Sequence, residues 1–451
     1  MKRILILLIA FVILGACIPS PDHEAIVNKS DKALQQALAA PNSERARYET
    51  PARWEETIDR KNLKIRFDAD IVLPEGDRFP VQTIRRHEFA PQDALNLLNA
   101  CFIGPFEVRE NPYSMEEIEE DIRFALRGSY SEDDVTGEIT WIPPEEDSEE
   151  LMELKARMAQ CPTEDAFVVL TEERLVYSNI PYAVRTANGT LLYLWFTKNG
   201  LKIYTSRKGS PQDDTTVWQG GYIGEQRYQT IEEPSIVESE AVAACNAALE
   251  RAGLSNEFGM GRAVRARNAQ PILEAPYFEV LSTGYLLQVA RNGGGYVPVP
   301  QGGGVYHEDR LSTLSDRDEA EYTLGWRMDW IEIYVSENGI ESIGWYMPNE
   351  VVRDAKENMQ LMPFPEIQQR IRENFIFGYA WSDEISTRIR ELTITRVSLS
   401  CAIAQLPDQT DEAILVPAWV VTYRSDRSEI THAYDLLMVI NAIDGSYLFV
   451  N

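Results

Sequence analysis

The chain has 451 residues, of which 44% are hydrophobic and 25% charged, a composition typical of a globular protein with room for two or three domains. Its 71 acidic and 43 basic residues give a formal net charge of −28. Such a polyanion is repelled by nucleic acid and by anionic lipid headgroups, so we expect no nucleic-acid partner.

The first 20 residues, MKRILILLIAFVILGACIPS, have the layout of a secretion signal. The apolar run over residues 4–16 is shorter than the roughly 20 residues that span a bilayer. It ends in LGAC at 14–17, which resembles the lipobox of bacterial lipoproteins. The resemblance implies a signal peptide over 1–16, a lipidated Cys17 that binds the membrane, and an extracytoplasmic location. An ordinary secretory peptide with an incidental Cys17 is the alternative.

The other four cysteines are Cys101, Cys161, Cys245 and Cys401. Four cysteines in a secreted chain could form disulfides in three connectivities. Apolar contexts such as AVAACNAAL favour free, buried thiols instead. No CxxC spacing indicates zinc, and we predict neither a metal nor a cofactor.

Residues 17–51 are polar, Ala-rich and bounded by proline, which predicts a lipidated tether. The segment LKIRFDADIVL, from Leu63, alternates apolar and polar residues and predicts a strand with one buried face. The following FPVQTIRRHEF is expected to be its hairpin partner. Pro91 fits the first turn of a helix through DALNLLNACF.

Three later helices are predicted from reciprocal capping pairs, in which a serine or aspartate precedes a glutamate by three residues. The pairs are Ser114 with Glu117, Asp147 with Glu150, and Ser235 with Glu238. A last helix is predicted over residues 365–377. Asn-Gly corners at 188–189, 199–200 and 338–339 predict hairpins between these helices. Strands interspersed with helices, without strict βαβ alternation, indicate an α+β fold.

The end of the chain carries a family resemblance in VPAWVVTY (416–423) and VINAIDGSYLFVN (439–451). These segments resemble the end of PepSY-like modules, in which a helix packs on a small antiparallel sheet. Together with the lipobox, ETPARW (49–54), DADIVLPEGDRFPV, NGIESIGWYMP and MQLMPFPEI, they are similar to a family of lipoproteins of unknown function from Gram-positive gut bacteria. The resemblance implies small antiparallel sheets each packed by one or two helices. We expect an N-terminal domain over 52–233 and a C-terminal domain over 234–451.

No stretch of the sequence specifies a reaction. The NAIDG motif at 441–445 lacks the later carboxylate of a calcium loop and predicts a hairpin turn. The glycine run at 292–304 lacks the Lys-Ser/Thr of a phosphate loop and predicts a joining loop or a partner-binding lid. The serine-nucleophile signatures G-x-S-x-G and S-x-x-K are missing, and no carboxylate pair stands out among 71 acids. We therefore expect a protein that is not an enzyme.

Trp330, Trp345, Trp419 and His307 are the candidate binding residues. The tryptophans could form core, or an exposed row that stacks on sugars or a peptide. Our first hypothesis is a non-enzymatic envelope lipoprotein that binds or regulates another envelope protein. A carbohydrate- or peptide-binding lipoprotein serving uptake is the second, and a hydrolase using only carboxylates is the third.

Overall fold

The computed structural model describes most of the chain after residue 29. The described residues are 30–42, 48–60, 63–132, 139–145, 148–205, 210–213, 233–271, 278–301, 326–380, 391–404, 411–425 and 436–448. The predicted signal peptide, Cys17 and His307 lie outside this set.

Six α-helices lie within the described residues. They are α1 (Ser30–Ala39), α2 (Pro91–Cys101), α3 (Met115–Leu126), α4 (Glu149–Gln160), α5 (Glu238–Arg251) and α6 (Phe364–Ala380). None of the helices in the described ranges is both long enough and apolar enough to cross a bilayer.

Strands make up more of the structure than helices. They are β1 (Arg53–Arg60), β2 (Leu63–Val72), β3 (Val81–Arg86), β4 (Glu107–Arg109), β5 (Ser129–Glu132), β6 (Ile139–Ile142), β7 (Phe167–Val169), β8 (Ser178–Arg185), β9 (Leu191–Phe196), β10 (Gly200–Tyr204), β11 (Ser210–Asp213), β12 (Phe258–Pro271), β13 (Phe278–Arg291), β14 (Trp330–Ser336), β15 (Gly339–Tyr346), β16 (Asn349–Lys356), β17 (Glu391–Ala404), β18 (Glu412–Ser425), β19 (Leu436–Asn441) and β20 (Tyr447–Leu448).

The first large sheet has eight strands, in the order β1-β2-β17-β18-β19-β20, with β3 joining β18 to β16. Strands β2 and β17 run parallel. As the alternation in β2 predicts, Ile65, Phe67 and Ala69 are buried. The polar residues that alternate with them, Arg66, Asp68 and Asp70, are exposed. The helix predicted over residues 365–377 is confirmed as α6, and its Ile367, Ile371 and Phe375 pack against this buried face.

The second large sheet has ten strands, in the order β11-β12-β13-β14-β15-β10-β9-β8-β4-β7. Helices α2 and α5 pack against one of its faces, where Leu97, Leu98, Cys245 and Leu249 join a single apolar cluster with strand residues. We call this the helix-covered face. A separate two-stranded hairpin is formed by β5 and β6.

The predicted fold class was wrong. Two sheets of eight and ten strands form a mostly β structure, in place of an α+β fold of small antiparallel sheets each packed by one or two helices. The error came from strand partners: β3 pairs with β16 and β18, while β2 pairs with β1 and β17. Alternation determines which face of a strand is buried, but it carries no information about a distant partner.

Both sheets combine strands from before and after residue 233, so the predicted boundary between residues 233 and 234 does not separate the two sheets. Part of the predicted tether also belongs to the folded body. Leu34 of α1 is buried against Val81 and Met359, and Lys356 Nζ donates to the carbonyl of Ala37 at 2.8 Å.

Local predictions had mixed outcomes. The Ser114 and Glu117 capping box is present at α3. At α4 the cap is Ser148, whose Oγ accepts from Leu151 N, and Asp147 lies outside the described residues. At α5 the cap position is Val237, without a side-chain bond.

The NAIDG motif is the predicted turn. Gly445 has φ +71° and its N–H donates to the carbonyl of Asn441, between the paired strands β19 and β20.

A buried ion pair lies where the two sheets meet. Arg291, at the end of β13, donates from Nε and Nη2 to the two carboxylate oxygens of Asp329, at 2.8 and 2.6 Å. The Asp329 side chain is 0% exposed. Arg291 Nη2 also donates to the carbonyl of Asn349, the first residue of β16, at 2.6 Å. Cys401 Sγ of β17 donates to the Arg291 carbonyl at 3.6 Å. One guanidinium therefore connects the ten-stranded sheet to the eight-stranded sheet.

Candidate binding face

The structure places the three predicted tryptophans in three different environments. Trp345 lies on the helix-covered face, where its ring contacts Phe89 and Phe258 with centroid distances of 5.0 and 5.7 Å. Trp419 is fully buried in the core of the eight-stranded sheet. Trp330 is half-buried and lies on the other side of the ten-stranded sheet. The structure therefore does not bring these three residues together.

Alternation along β14 explains the position of Trp330. Ile331, Ile333 and Val335 point to the helix-covered face, so Trp330 and Glu332 point to the opposite one. Strand β9 shows the same pattern, because its leucines join the helix-covered core while Tyr193 and Trp195 alternate with them. We call the side opposite α2 and α5 the aromatic face.

Side chains on the aromatic face are aligned in rows across neighbouring strands. In one row, each residue directly opposes the next; its members are Trp195, Lys202, Gly344, Glu332, Gln288 and Arg262. A parallel row places Gly200, Tyr346, Trp330 and Ala290 opposite one another. The two rows therefore place the rings of Trp195, Tyr346 and Trp330 beside charged and amide groups on one side of the sheet.

Trp330 and Tyr346 form the aromatic centre of this face. Their rings stack with a centroid distance of 4.6 Å and an interplanar angle of 24°. The absence of a side chain at Gly344 makes room for the phenol, because a Cβ there would lie 2.6 Å from Tyr346 Oη. The tyrosine ring therefore leans along the sheet over the glycine.

A second aromatic group lies on β9 and β10. The indole of Trp195 lies over Gly200, where a Cβ would come within 2.4 Å of Cζ3. The rings of Tyr193 and Tyr204 stack with a centroid distance of 5.7 Å and an angle of 25°. We did not predict this group, although the alternation in LLYLWF could have indicated it.

Polar groups lie beside both aromatic groups. Gln288 Nε2 donates to Glu332 Oε1 at 3.4 Å, and the ammonium of Lys202 lies 5.3 Å from the centroid of the Tyr204 ring. Donors, acceptors and flat apolar surfaces thus occur within one row. This combination can bind a ligand that has both apolar faces and hydroxyl groups.

No family model and no curated protein matches the chain. The crystal structure of an uncharacterized protein from Eubacterium rectale ATCC 33656 is similar to this chain. The alignment covers 89% of this chain and 94% of the Eubacterium rectale chain, with 11% sequence identity and a TM-score of 0.43. The residues themselves therefore have to indicate the function.

The buried carboxylates in the described part of the chain already have partners. Glu117 and Asp329 pair with arginines, and Glu341 accepts from Asn268 Nδ2 at 3.0 Å and from Ser282 Oγ at 2.9 Å. No three His, Cys, Asp or Glu side chains in the described ranges are grouped so that they could hold a metal ion. The aromatic face thus has a stronger claim to function than any carboxylate site within these ranges.

The four described cysteines are free thiols. Burial raises the pKa of Cys101, Cys245 and Cys401 to about 12. The thiolate is the nucleophilic form, so these three residues are poor nucleophiles at neutral pH.

Proposed function

We propose that the protein is an envelope lipoprotein that binds a neutral oligosaccharide on the aromatic face. The observation that supports this proposal is the register of ring-bearing and polar side chains over Trp330, Tyr346 and Trp195. The hydrophobic faces of sugar rings stack on indole and phenol rings, while their hydroxyls need both donors and acceptors. Lys202, Glu332 and their row neighbours supply both types.

Sheet connectivity favours a sugar over a peptide. A peptide commonly binds a sheet by adding a strand to an exposed edge. Strands β10, β15, β14 and β13, which carry the centre of the face, each pair with a strand on both sides. Recognition there has to use side chains. The net charge of −28 favours a neutral ligand over an acidic one.

The lipobox resemblance supports the location that we propose. Cys17 would carry the lipid, and the folded body would bind its ligand outside the cell while remaining beside the membrane. A sugar-binding lipoprotein at this position would capture the oligosaccharide outside the cell before the cell takes it up.

Binding to a panel of neutral oligosaccharides, measured by calorimetry, tests the proposed function. We expect Trp330→Ala to weaken binding of a panel member at least tenfold, because truncation of a central aromatic anchor typically costs more than 1 kcal/mol. The matched control is Trp141→Ala, since Trp141 is 51% exposed and lies on β6, which is not a strand of the ten-stranded sheet. Equal affinities for Trp330→Ala and the native protein would refute the proposal, as would binding of peptides in place of sugars.

The tether can be tested independently of the ligand. We expect Cys17→Ala to move the protein from the membrane fraction to the soluble fraction, because stable anchoring needs the acyl chains. Immunoblotting of fractionated cells measures the distribution, and mass spectrometry of the native protein should find a lipidated N-terminus at residue 17. A membrane-bound fraction that does not change in the variant would contradict lipidation.

A further inference from the structure

Three rings of the aromatic face follow one another across the strands of the ten-stranded sheet. The indole of Trp195 on β9 lies over Gly200 of β10. Gly200 directly opposes Tyr346 of β15, and Tyr346 directly opposes Trp330 of β14. We call Trp195, Tyr346 and Trp330 the ring row. Neighbouring strands lie about 4.8 Å apart, so the four strands β9, β10, β15 and β14 together span roughly 20 Å.

The start of α3 lies at the β9 end of the ring row. Tyr193, on the same face of β9 as Trp195, donates from Oη to Glu117 Oε1 at 2.8 Å. Glu117 lies in the first turn of α3, and its other carboxylate oxygen accepts from Arg109 of β4, whose side chain is 2% exposed. Ala183 of β8 directly opposes Tyr193 and is 1% exposed. The aromatic face is therefore covered where the sheet continues from β9 to β8.

A proline lies at the other end, beyond β14. Trp330 directly opposes Ala290 of β13, which directly opposes Gly259 of β12. Gly259 faces the aromatic side, because both of its chain neighbours join the helix-covered core. A Cβ at Gly259 would lie 3.0 Å from Pro298 Cγ, so this proline rests on the sheet at β12. Ala290 lies between Trp330 and this proline and is 2% exposed.

The eight-stranded sheet holds this proline in place. The N–H of Val297 donates to the carbonyl of Leu399 at 3.2 Å, and Val299 packs against an apolar cluster formed by β17, β18 and β19. Gln301 Nε2 donates to the carbonyl of Cys401 at 2.5 Å. The segment over residues 297–301 is therefore packed between the two sheets, and it limits the ring row on the side of β13 and β12.

The ring row is also limited along the strands. Ser342 and Tyr334 are the next residues on this face beyond Gly344 and Glu332, and they directly oppose each other on β15 and β14. Their exposed fractions are 7% and 0%. The aromatic face is therefore not a continuous open trough in the strand direction. The part of it that carries the ring row is short in both directions.

We propose that the ring row binds a short neutral oligosaccharide end to end, across the strands, and excludes the inner units of a polysaccharide. This inference rests on the proposed sugar binding and specifies the length and the direction of the ligand. One pyranose unit advances an extended glycan chain by about one strand spacing, so the four strands match a ligand of about four units. A longer chain would meet α3 at one end or Pro298 at the other.

Calorimetric titration of the full-length protein with ligands of increasing length tests the inference. The probes are β-1,4-linked and α-1,4-linked gluco-oligosaccharides of two to six units, together with a soluble polymer of each linkage. In the series that binds, we expect affinity to rise about tenfold from two to four units, because the added units stack on further rings. Affinity should then fall at least tenfold from the four-unit ligand to the polymer, because the polymer cannot end inside the site.

Trp195→Ala tests the direction of the ligand. Its ring lies over β10, two strands from Trp330 on β14, so a two-unit ligand can bind without it. We expect Trp195→Ala to bind the two-unit ligand within about twofold of the native protein and to lose the gain between two and four units. The matched control is Trp141→Ala, which should keep the native dependence on length. Circular dichroism spectra that match the native protein establish that each variant is folded.

The outcomes separate this inference from the proposed function. A polymer that binds as tightly as the four-unit ligand would overturn the inference and leave sugar binding intact. The same holds for a Trp195→Ala protein with the native affinity for the four-unit ligand, since the chain would then not follow the ring row. A protein that binds no member of either series would overturn both the inference and the proposed sugar binding.

Discussion

Replacing Arg291 with methionine is expected to lower the free energy of unfolding by about 3–5 kcal/mol. The variant would leave the Asp329 carboxylate, which is 0% exposed, without the two charge-assisted hydrogen bonds that compensate its burial. It would also remove the bond to the Asn349 carbonyl and the contact of the guanidinium with the Phe258 ring, at 4.7 Å from the centroid. Urea unfolding monitored by circular dichroism measures the loss.

Two controls determine whether burial of the charge is the cause. Arg353 and Glu412 form an ion pair in which the two side chains are 57% and 30% exposed, respectively. Breaking this pair in Arg353→Met should lower the free energy of unfolding by at most about 1 kcal/mol. The double variant Arg291→Met with Asp329→Leu should be more stable than Arg291→Met alone, because no unpaired charge is left buried. If Arg291→Met costs no more than Arg353→Met, the ion pair does not hold the two sheets together.

Local elements were predictable because their signals are local. The alternation in β2 predicts which of its faces is buried, and the capping box of Ser114 and Glu117 predicts where α3 begins. Gly445 predicts the last turn. Each signal involves residues within a few positions of one another. Strand partners were not predictable in this way, since β2 pairs with a strand more than 300 residues later.

The candidate site was half predictable for the same reason. Alternation in WIEIYVS places Trp330 and Glu332 on one face and the isoleucines on the other. It does not determine which face the helices cover, because α2 and α5 belong to distant segments of the chain. Trp345 alternates with Tyr346 on β15, and only the packed structure shows that the tryptophan is core and the tyrosine belongs to the aromatic face.

Trp419 gives the clearest separation between a core tryptophan and a binding tryptophan. It opposes Leu399 on one side and Ile440 on the other, and its ring lies 5.0 Å from Phe364 of α6. We expect Trp419→Ala to lower the free energy of unfolding by about 3–5 kcal/mol, since it leaves a large cavity in a close-packed core. Urea unfolding of the purified variant measures the change.

The matched comparison is Trp330→Ala, which removes a half-buried ring stacked on Tyr346 and should cost about 0.5–1.5 kcal/mol of stability. The two variants should therefore separate: the Trp419 variant loses stability, whereas the Trp330 variant loses mainly affinity for sugar. A Trp419→Ala protein as stable as the native one would show that this part of the eight-stranded sheet is not close-packed. A binding surface must remain accessible to its ligand, so its rings contribute less to folding than a buried ring does. A Trp330→Ala protein that loses as much stability as the Trp419 variant would therefore show that the aromatic face is part of the core.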